Sequence, residues 1–363
     1  MRKWQRSTGH GKWRRSAVVA ALASIMAAGC ESDPEPAFTP YRSSTPAPSV
    51  TPSVRSSSAF VISRDPWTFE NAAGEVIETP HYRILTTVRP GLLTDRLPGF
   101  LEGAIASYTA ALATLPMPKD RLETYIMANR PQWARLTQLL MRDRADTYLR
   151  IQRGGYAADG RGIYFDIGIQ DTLAISAHEG WHQYTQTTFR ENLPIWLEEG
   201  IAAYMEGFRW DSVQNKAVFL GWSNVERYDA LRKAREEGTL MPLELLLGSE
   251  PSALIDRAGD AALTYYAQVW ALVHWLREGE SGRHRTALET LLTDACEGRM
   301  NATVRTRMGA ESMRVRRLRN ASTFQAYFDR DLLAASASYQ AFVDRITGPG
   351  SKDRIVAGRS PLR

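Results

Sequence analysis

Cysteine is nearly missing from this chain: two residues in 363, Cys30 and Cys296. They give no internal disulfide framework, so an apolar core has to hold the fold. Long hydrophobic runs are missing as well. The best, Ser16 to Ala28, falls short of the roughly 20 residues a membrane-spanning helix needs. Glycine never gathers into a phosphate-binding loop, because Arg153-Gly154-Gly155-Tyr156 has too few glycines at the wrong spacing. That stretch reads as a flexible loop at the rim of a cleft. Net charge is a modest +5. Positive charge does concentrate at Arg305, Arg307, Arg314, Arg316, Arg317 and Arg319, but no zinc-finger or other nucleic-acid-binding motif accompanies it. No nucleic-acid partner is expected. A solvated helix face accounts for the arginines, with contact to anionic lipid headgroups or acidic partners as the other use.

The amino terminus reads as targeting rather than fold. Arg2, Lys3, Arg6, Lys12, Arg14 and Arg15 precede the short apolar stretch, and Ala27-Ala28-Gly29-Cys30 resembles a bacterial lipobox. Residues 1–29 are expected to be a signal peptide and Cys30 the lipidated first residue of an exported cell-envelope lipoprotein. Ala27 stands where leucine is commoner, so ordinary signal-peptidase cleavage, giving a periplasmic or secreted product, is the alternative. Arg14-Arg15 is a weak twin-arginine signal at best. Residues 30–58, rich in Pro, Ser and Thr, cannot bury enough surface to offset their ordering entropy and read as a tether. Residues 59–346 are then one catalytic domain, and residues 347–363 a tail.

Histidine is scarce too, with six in the chain, yet two of them stand in His178-Glu179-Gly180-Trp181-His182. Residues four apart lie on one face of a helix, so both imidazoles can reach one cation while Glu179 flanks its open coordination position. Sixteen residues separate His182 from Glu199 in Trp196-Leu197-Glu198-Glu199-Gly200-Ile201-Ala202, which offers a third donor. Such a set suits one Zn2+ that activates water, with Glu179 as the base. Asp171 and Thr172 offer N-cap chemistry for the helix. Gly180 in mid-helix costs about 1 kcal/mol relative to alanine and points to close approach by a neighbour or ligand. Glu198 and Glu199 are adjacent and only one can face the metal.

These motifs resemble the gluzincin zinc metallopeptidases, the aminopeptidase N branch distantly and the small bacterial peptidase MA-like proteins more nearly. The resemblance covers loosely residues 80 to 346. It implies that the glutamate directly before the glycine, Glu199, is the third ligand, with Glu198 the fallback. Thermolysin-like members carry an aspartate four residues after that ligand, where this chain has Ala203. The groups that orient the histidines must therefore come from elsewhere. Tyr265-Tyr266-Ala267-Gln268-Val269-Trp270-Ala271-Leu272-Val273 resembles the gluzincin helix whose leading tyrosine stabilises the oxyanion, which implies Tyr266 in that role and Tyr265 next. Trp270, Leu272, Val273 and Leu276 read as core, and His274 as a satisfied core or interface histidine. His81 and His284 carry no motif.

Around the motif, Arg161 to Gly168 alternates Ile163, Phe165 and Ile167 with more polar neighbours, the signature of a half-buried strand. By resemblance this is the sheet edge along which an extended substrate lies. Tyr82–Val88 and Leu122–Met127 read as strands, and Leu92–Leu115, Leu240–Leu247, Tyr265–Leu276, Arg285–Ala295 and Phe324–Ile346 as helices. The expected fold is α+β: a small mixed sheet with an edge strand before the metal helix, then a mainly helical half. The function expected is zinc-dependent peptide-bond hydrolysis on a peptide or protein substrate, at a membrane reached through Cys30. The alternative is a non-catalytic envelope lipoprotein that uses the same fold as a binding scaffold.

Overall fold

The computed structural model describes residues 57–362 apart from 252–253 and 255–259. The leader, Cys30 and the tether up to residue 56 lie outside the described residues. Apolar strand-forming runs in the first half pair into one mixed sheet. β1 (Ser63–Phe69), β2 (Ala72–Glu78) and β3 (Tyr82–Thr86) form an antiparallel meander, and β4 (Leu122–Met127) adds parallel to β3. The hairpin β5 (Gly155–Ala158) and β6 (Arg161–Phe165) completes the order β1-β2-β3-β4-β6-β5, with β6 parallel to β4. Parallel neighbours need crossovers. Those are α1 (Leu92–Ala110), then α2 (Arg130–Met141) with α3 (Ala145–Leu149).

Helices cover both faces of the sheet, and this changes how β6 is buried. Tyr164 joins Ile84, Ile126 and the apolar face of α1 in the larger core, whereas Ile163 and Phe165 pack with Trp133, Leu136 and Tyr148 in a second one. The Ile163/Phe165 alternation therefore does not mark a half-solvated strand; Tyr164, counted as polar in sequence, is buried on the other face. Nor is β6 the edge. The edge before the metal helix is β5, in the stretch that reads as a loop, because Gly155 already pairs with Tyr164.

The metal-motif helix, α4 (Ile169–Thr188), is pinned to this sheet by Gln183. Its amide donates to the Glu123 carbonyl at 2.8 Å and the Gly160 carbonyl at 3.1 Å, and its oxygen accepts from Thr124 Oγ1 at 3.1 Å. The neighbour that Gly180 predicts is Tyr108 of α1. A Cβ at position 180 would stand 2.5 Å from the Tyr108 hydroxyl, which bonds the Ala177 carbonyl at 2.7 Å. The helix begins earlier than expected: Gly168 is its N-cap, and Asp171 and Thr172 lie inside its first turn. Thr172 Oγ1 instead accepts from the Ile167 N–H and donates to Asp166, tying the incoming loop.

The second half is helical. In order come α5 (Ile195–Met205), a hairpin of β7 (Phe208–Asp211) and β8 (Lys216–Phe219), α6 (Val225–Glu236), α7 (Leu243–Gly248) and α8 (Ala261–Glu278). After them come α9 (Arg285–Glu297), α10 (Met300–Met308), α11 (Arg316–Tyr327), α12 (Leu332–Ile346) and α13 (Ser351–Val356). Every residue of α8 from Thr264 to Leu276 is buried, as suits a helix enclosed on all sides and packed against α5 and α6. The single helix expected over Phe324–Ile346 is two. Asp331 starts the second by accepting from the Leu333 and Ala334 N–H groups. Residues after 346 fold back rather than trail: Ile355 is fully buried and Ser360 Oγ donates to Glu278. Among the described residues, no helix is long and apolar enough to cross a membrane.

Candidate metal centre

Both histidines of α4 are buried, and their Nε2 atoms point at one carboxylate of α5. His178 Nε2 lies 3.5 Å and His182 Nε2 3.6 Å from Glu199 Oε2. Neither contact is a hydrogen bond, and both nitrogens and both Glu199 oxygens are buried without a hydrogen-bond partner. Orphaned donors and acceptors at this depth are costly, which is compatible with a ligand between them. Tetrahedral donors about 2.0–2.1 Å from zinc stand roughly 3.3 Å from one another, close to the separations here. Among the described residues, only His178, His182 and Glu199 group in this way, and they could hold a metal ion.

Electrostatics tell the same story. Burial alone would lower the His178 imidazole, yet the Glu199 and Glu206 carboxylates hold it up at about 9. His182 rises as well against its burial, driven by Glu199 and Glu198. Glu199 and Glu206 are each drawn down to about 2 although buried, Glu199 by the two histidines and Glu206 by Arg227 and His178. The cluster thus favours positive charge at its centre, which a metal ion could supply in place of protons on the two imidazoles.

Close helix crossing makes the geometry possible. A Cβ on Gly200 would stand 2.6 Å from the Val269 carbonyl oxygen, so α5 and α8 touch backbone to backbone beside Glu199. That contact brings α8 to the site. The Tyr266 ring lies 6.2 Å from the His178 ring, edge-on, and its hydroxyl is buried without a partner. Tyr265 packs 5.7 Å from Tyr266, and its hydroxyl is likewise orphaned. Burial first and Glu199 second push both phenols well above their ordinary value, so they stay neutral donors.

Glu179 sits between the histidines in sequence and against the edge strand in space. Oε2 accepts from the Ala157 N–H of β5 at 3.0 Å, leaving Oε1 buried and unpartnered. Burial lifts its pKa to about 7, helped by Glu199 and opposed by the histidines. A carboxylate so tuned can both take and release a proton near neutrality.

The groups that orient the histidines, left unassigned by the sequence, are now visible. His182 Nδ1 meets Glu198 Oε1 at 2.9 Å, and that oxygen also accepts from Thr185 Oγ1 at 2.7 Å. Glu198 therefore supports His182, and Glu199 faces the two Nε2 atoms. His178 Nδ1 meets Glu206 Oε1 at 2.6 Å. Glu206 is itself gripped by Arg227, through Nε at 3.0 Å and Nη2 at 2.8 Å, and by Asn224 Nδ2 at 2.7 Å. Glu206 follows Glu199 by seven residues, two helical turns, which is the one sequence signal that could have found it. Arg227 comes from α6 and Asn224 is the N-cap of that helix, and neither carries such a signal.

The remaining candidates lie elsewhere. His274 is fully buried, stacked 3.6 Å from Trp222, with Nε2 donating to the Gly221 carbonyl at 3.2 Å. His81 pairs with Glu102, and His284 packs on Trp275. Of the late arginines, Arg307 bonds the Ala326 carbonyl, Arg314 pairs with Glu311 and Arg316 with Glu250.

A family model described as a protein of unknown function, DUF1570, matches residues 172–297. The matched stretch runs from the first turn of α4 to the end of α9 and contains the whole His178, Glu179, His182, Glu199, Glu206, Arg227 and Tyr266 arrangement. Comparison with curated proteins and with solved structures gave no match.

Proposed function

We propose that this chain is a zinc-dependent metallopeptidase of the gluzincin type, carried to the bacterial cell envelope and anchored there through Cys30. One observation carries the catalytic part: the orphaned ligand atoms of His178, His182 and Glu199 converge beside a buried Glu179 whose Oε1 is free. A scaffold for binding alone has no use for a tuned base in that position, which favours the enzyme over a non-catalytic envelope lipoprotein. Zinc held by this trio would polarise a peptide carbonyl and lower the pKa of a water to about 7.

The protein's own groups then divide the work. Glu179 Oε1 takes a proton from the attacking water and later delivers it to the departing amide nitrogen, so the base is regenerated in each turnover. Tyr266 donates its hydroxyl hydrogen to the carbonyl oxygen as negative charge builds there. Glu198 and Glu206 hold His182 and His178 in the tautomer that presents Nε2.

The test is proteomic cleavage profiling with purified protein against a Glu179→Gln control. New amino termini appearing with wild type and not with the control support a peptidase. Identical profiles with both proteins, each zinc-loaded, reject it.

A further inference from the structure

We infer that Arg227 positions two groups of the site at once: the metal ligand His178, through Glu206, and the oxyanion donor Tyr266, through its ring. The inference rests on the metallopeptidase reading for what Tyr266 does, but its metal half stands on the donor set alone. Arg227 is nearly fully buried, and its guanidinium makes two hydrogen bonds to the two oxygens of Glu206. Its Cζ also lies 5.2 Å from the centroid of the Tyr266 ring. Glu206 Oε1 in turn meets His178 Nδ1 at 2.6 Å, and the His178 ring touches the Tyr266 ring edge-on. These contacts close a loop from Arg227 to Glu206 to His178 to Tyr266 and back.

A planar fork explains why arginine fills this place. It binds a carboxylate through two donors in its plane while its face or edge remains for an aromatic ring, which a lysine ammonium cannot reproduce. Asn224 holds the Glu206 oxygen that His178 does not use, so the carboxylate has little freedom to rotate. The loop makes the placement of Tyr266 depend on the same guanidinium that fixes the His178 tautomer. Metal capture and oxyanion stabilisation are therefore coupled through one side chain in α6 that touches neither metal nor substrate.

The experiment compares wild type with Arg227→Lys, Glu206→Gln and the double variant in two readouts. Zinc affinity is measured by chelator competition, and acetohydroxamate affinity is measured on protein saturated with zinc. Acetohydroxamate places an oxygen where Tyr266 can donate to it, and its binding needs no turnover. Glu206→Gln should weaken zinc binding by about 10- to 100-fold, the usual effect of losing an outer partner of a ligating histidine, and Arg227→Lys should weaken it in the same direction by more than twofold. The double variant should be no weaker than Glu206→Gln alone, because the metal effect passes through Glu206. At saturating zinc, Arg227→Lys should bind acetohydroxamate at least fivefold more weakly than wild type, and an affinity within twofold of wild type would overturn the Tyr266 half of the inference. Should Arg227→Lys not fold, Glu206→Asp draws the carboxylate back by one methylene, keeps its charge and must show the same loss of zinc affinity. Zinc affinity within twofold of wild type in the folded variant, or independent losses in the double variant, overturns the inference. Failure of the peptidase reading would leave the zinc arm unchanged, so the two failures are distinguishable.

Discussion

Glu198 and Glu199 share a peptide bond yet have different surroundings. One helical step turns Glu199 to the histidine Nε2 atoms and leaves Glu198 on the Nδ1 of His182, so neighbouring carboxylates take the places of a candidate ligand and of a support for His182. Their removal should therefore differ in kind. Glu199→Ala should abolish zinc binding, while Glu198→Ala should weaken it by about 10- to 100-fold, both read by chelator competition. Equal loss in the two variants would contradict the assignment. Tyr265 and Tyr266 pose a similar choice. Tyr266→Phe should lower kcat by on the order of 10² to 10³ with little change in KM, the usual effect of losing one oxyanion donor, and Tyr265→Phe should be mild. The reverse pattern would place the donor one residue earlier. In the proposed mechanism Glu179 sets the pH profile. Its carboxyl is raised to about 7 and acts as a base only when ionised, so activity should rise with pH. A bound cation favours the ionised form further, which puts the acid limb of kcat/KM at or below pH 7. An acid limb above pH 8 would exclude Glu179 as that base.

At the scale of elements, the site is a meeting of α4, α5 and α8, and glycines set the distances. Gly200→Ala would push a methyl group against the Val269 carbonyl oxygen and force α5 from α8. It should cost about 1–3 kcal/mol in denaturant unfolding and lower zinc affinity as well, since Glu199 is the neighbouring residue. Unchanged stability would mean that α5 and α8 have room for a methyl group where they cross. The elements that proved legible in sequence were those with strong periodicity or fixed spacing: β4 is found from Leu122 to Met127 as expected, and α8 extends the expected run by a turn at its start. The His178/His182 spacing located the centre of the site for the same reason. Less legible were features made by partners distant in sequence. β5 looks like a loop because Gly154 before it and Gly155 at its start mask four buried residues, and the edge position of β5 follows only from its pairing with β6. Arg227 and Asn224 reach Glu206 from another helix, a contact that no local pattern encodes. The break at residues 328–331 is set by Asp331 capping α12, in a stretch whose apolar spacing otherwise runs through.

Over the whole molecule, the buried histidine His274 adds a pH dependence separate from that of the metal site. Burial holds its imidazole well below the ordinary histidine value, so the unfolded chain binds a proton that the folded chain refuses. Its contribution to stability is complete above the unfolded value of about 6.5 and is lost as pH falls below it. The melting temperature should drop below pH 6.5, and His274→Phe should flatten that slope even if it lowers stability overall. A parallel slope in the variant would assign the acid sensitivity to other groups. The α/β portion supplies a rigid sheet behind α4, and the helical portion delivers Glu199, Glu206, Arg227 and Tyr266 to its front. A metal at their junction would tie the two portions together, and zinc should raise the melting temperature in proportion to the logarithm of its free concentration.

The most direct measurement is metal content of the purified protein after equilibration with zinc. About one zinc per chain should remain in wild type and in Glu179→Gln, which lacks only the base, and none in His182→Ala. A wild-type protein that holds no zinc, or a His182→Ala variant that holds as much as wild type, would contradict the account at its centre.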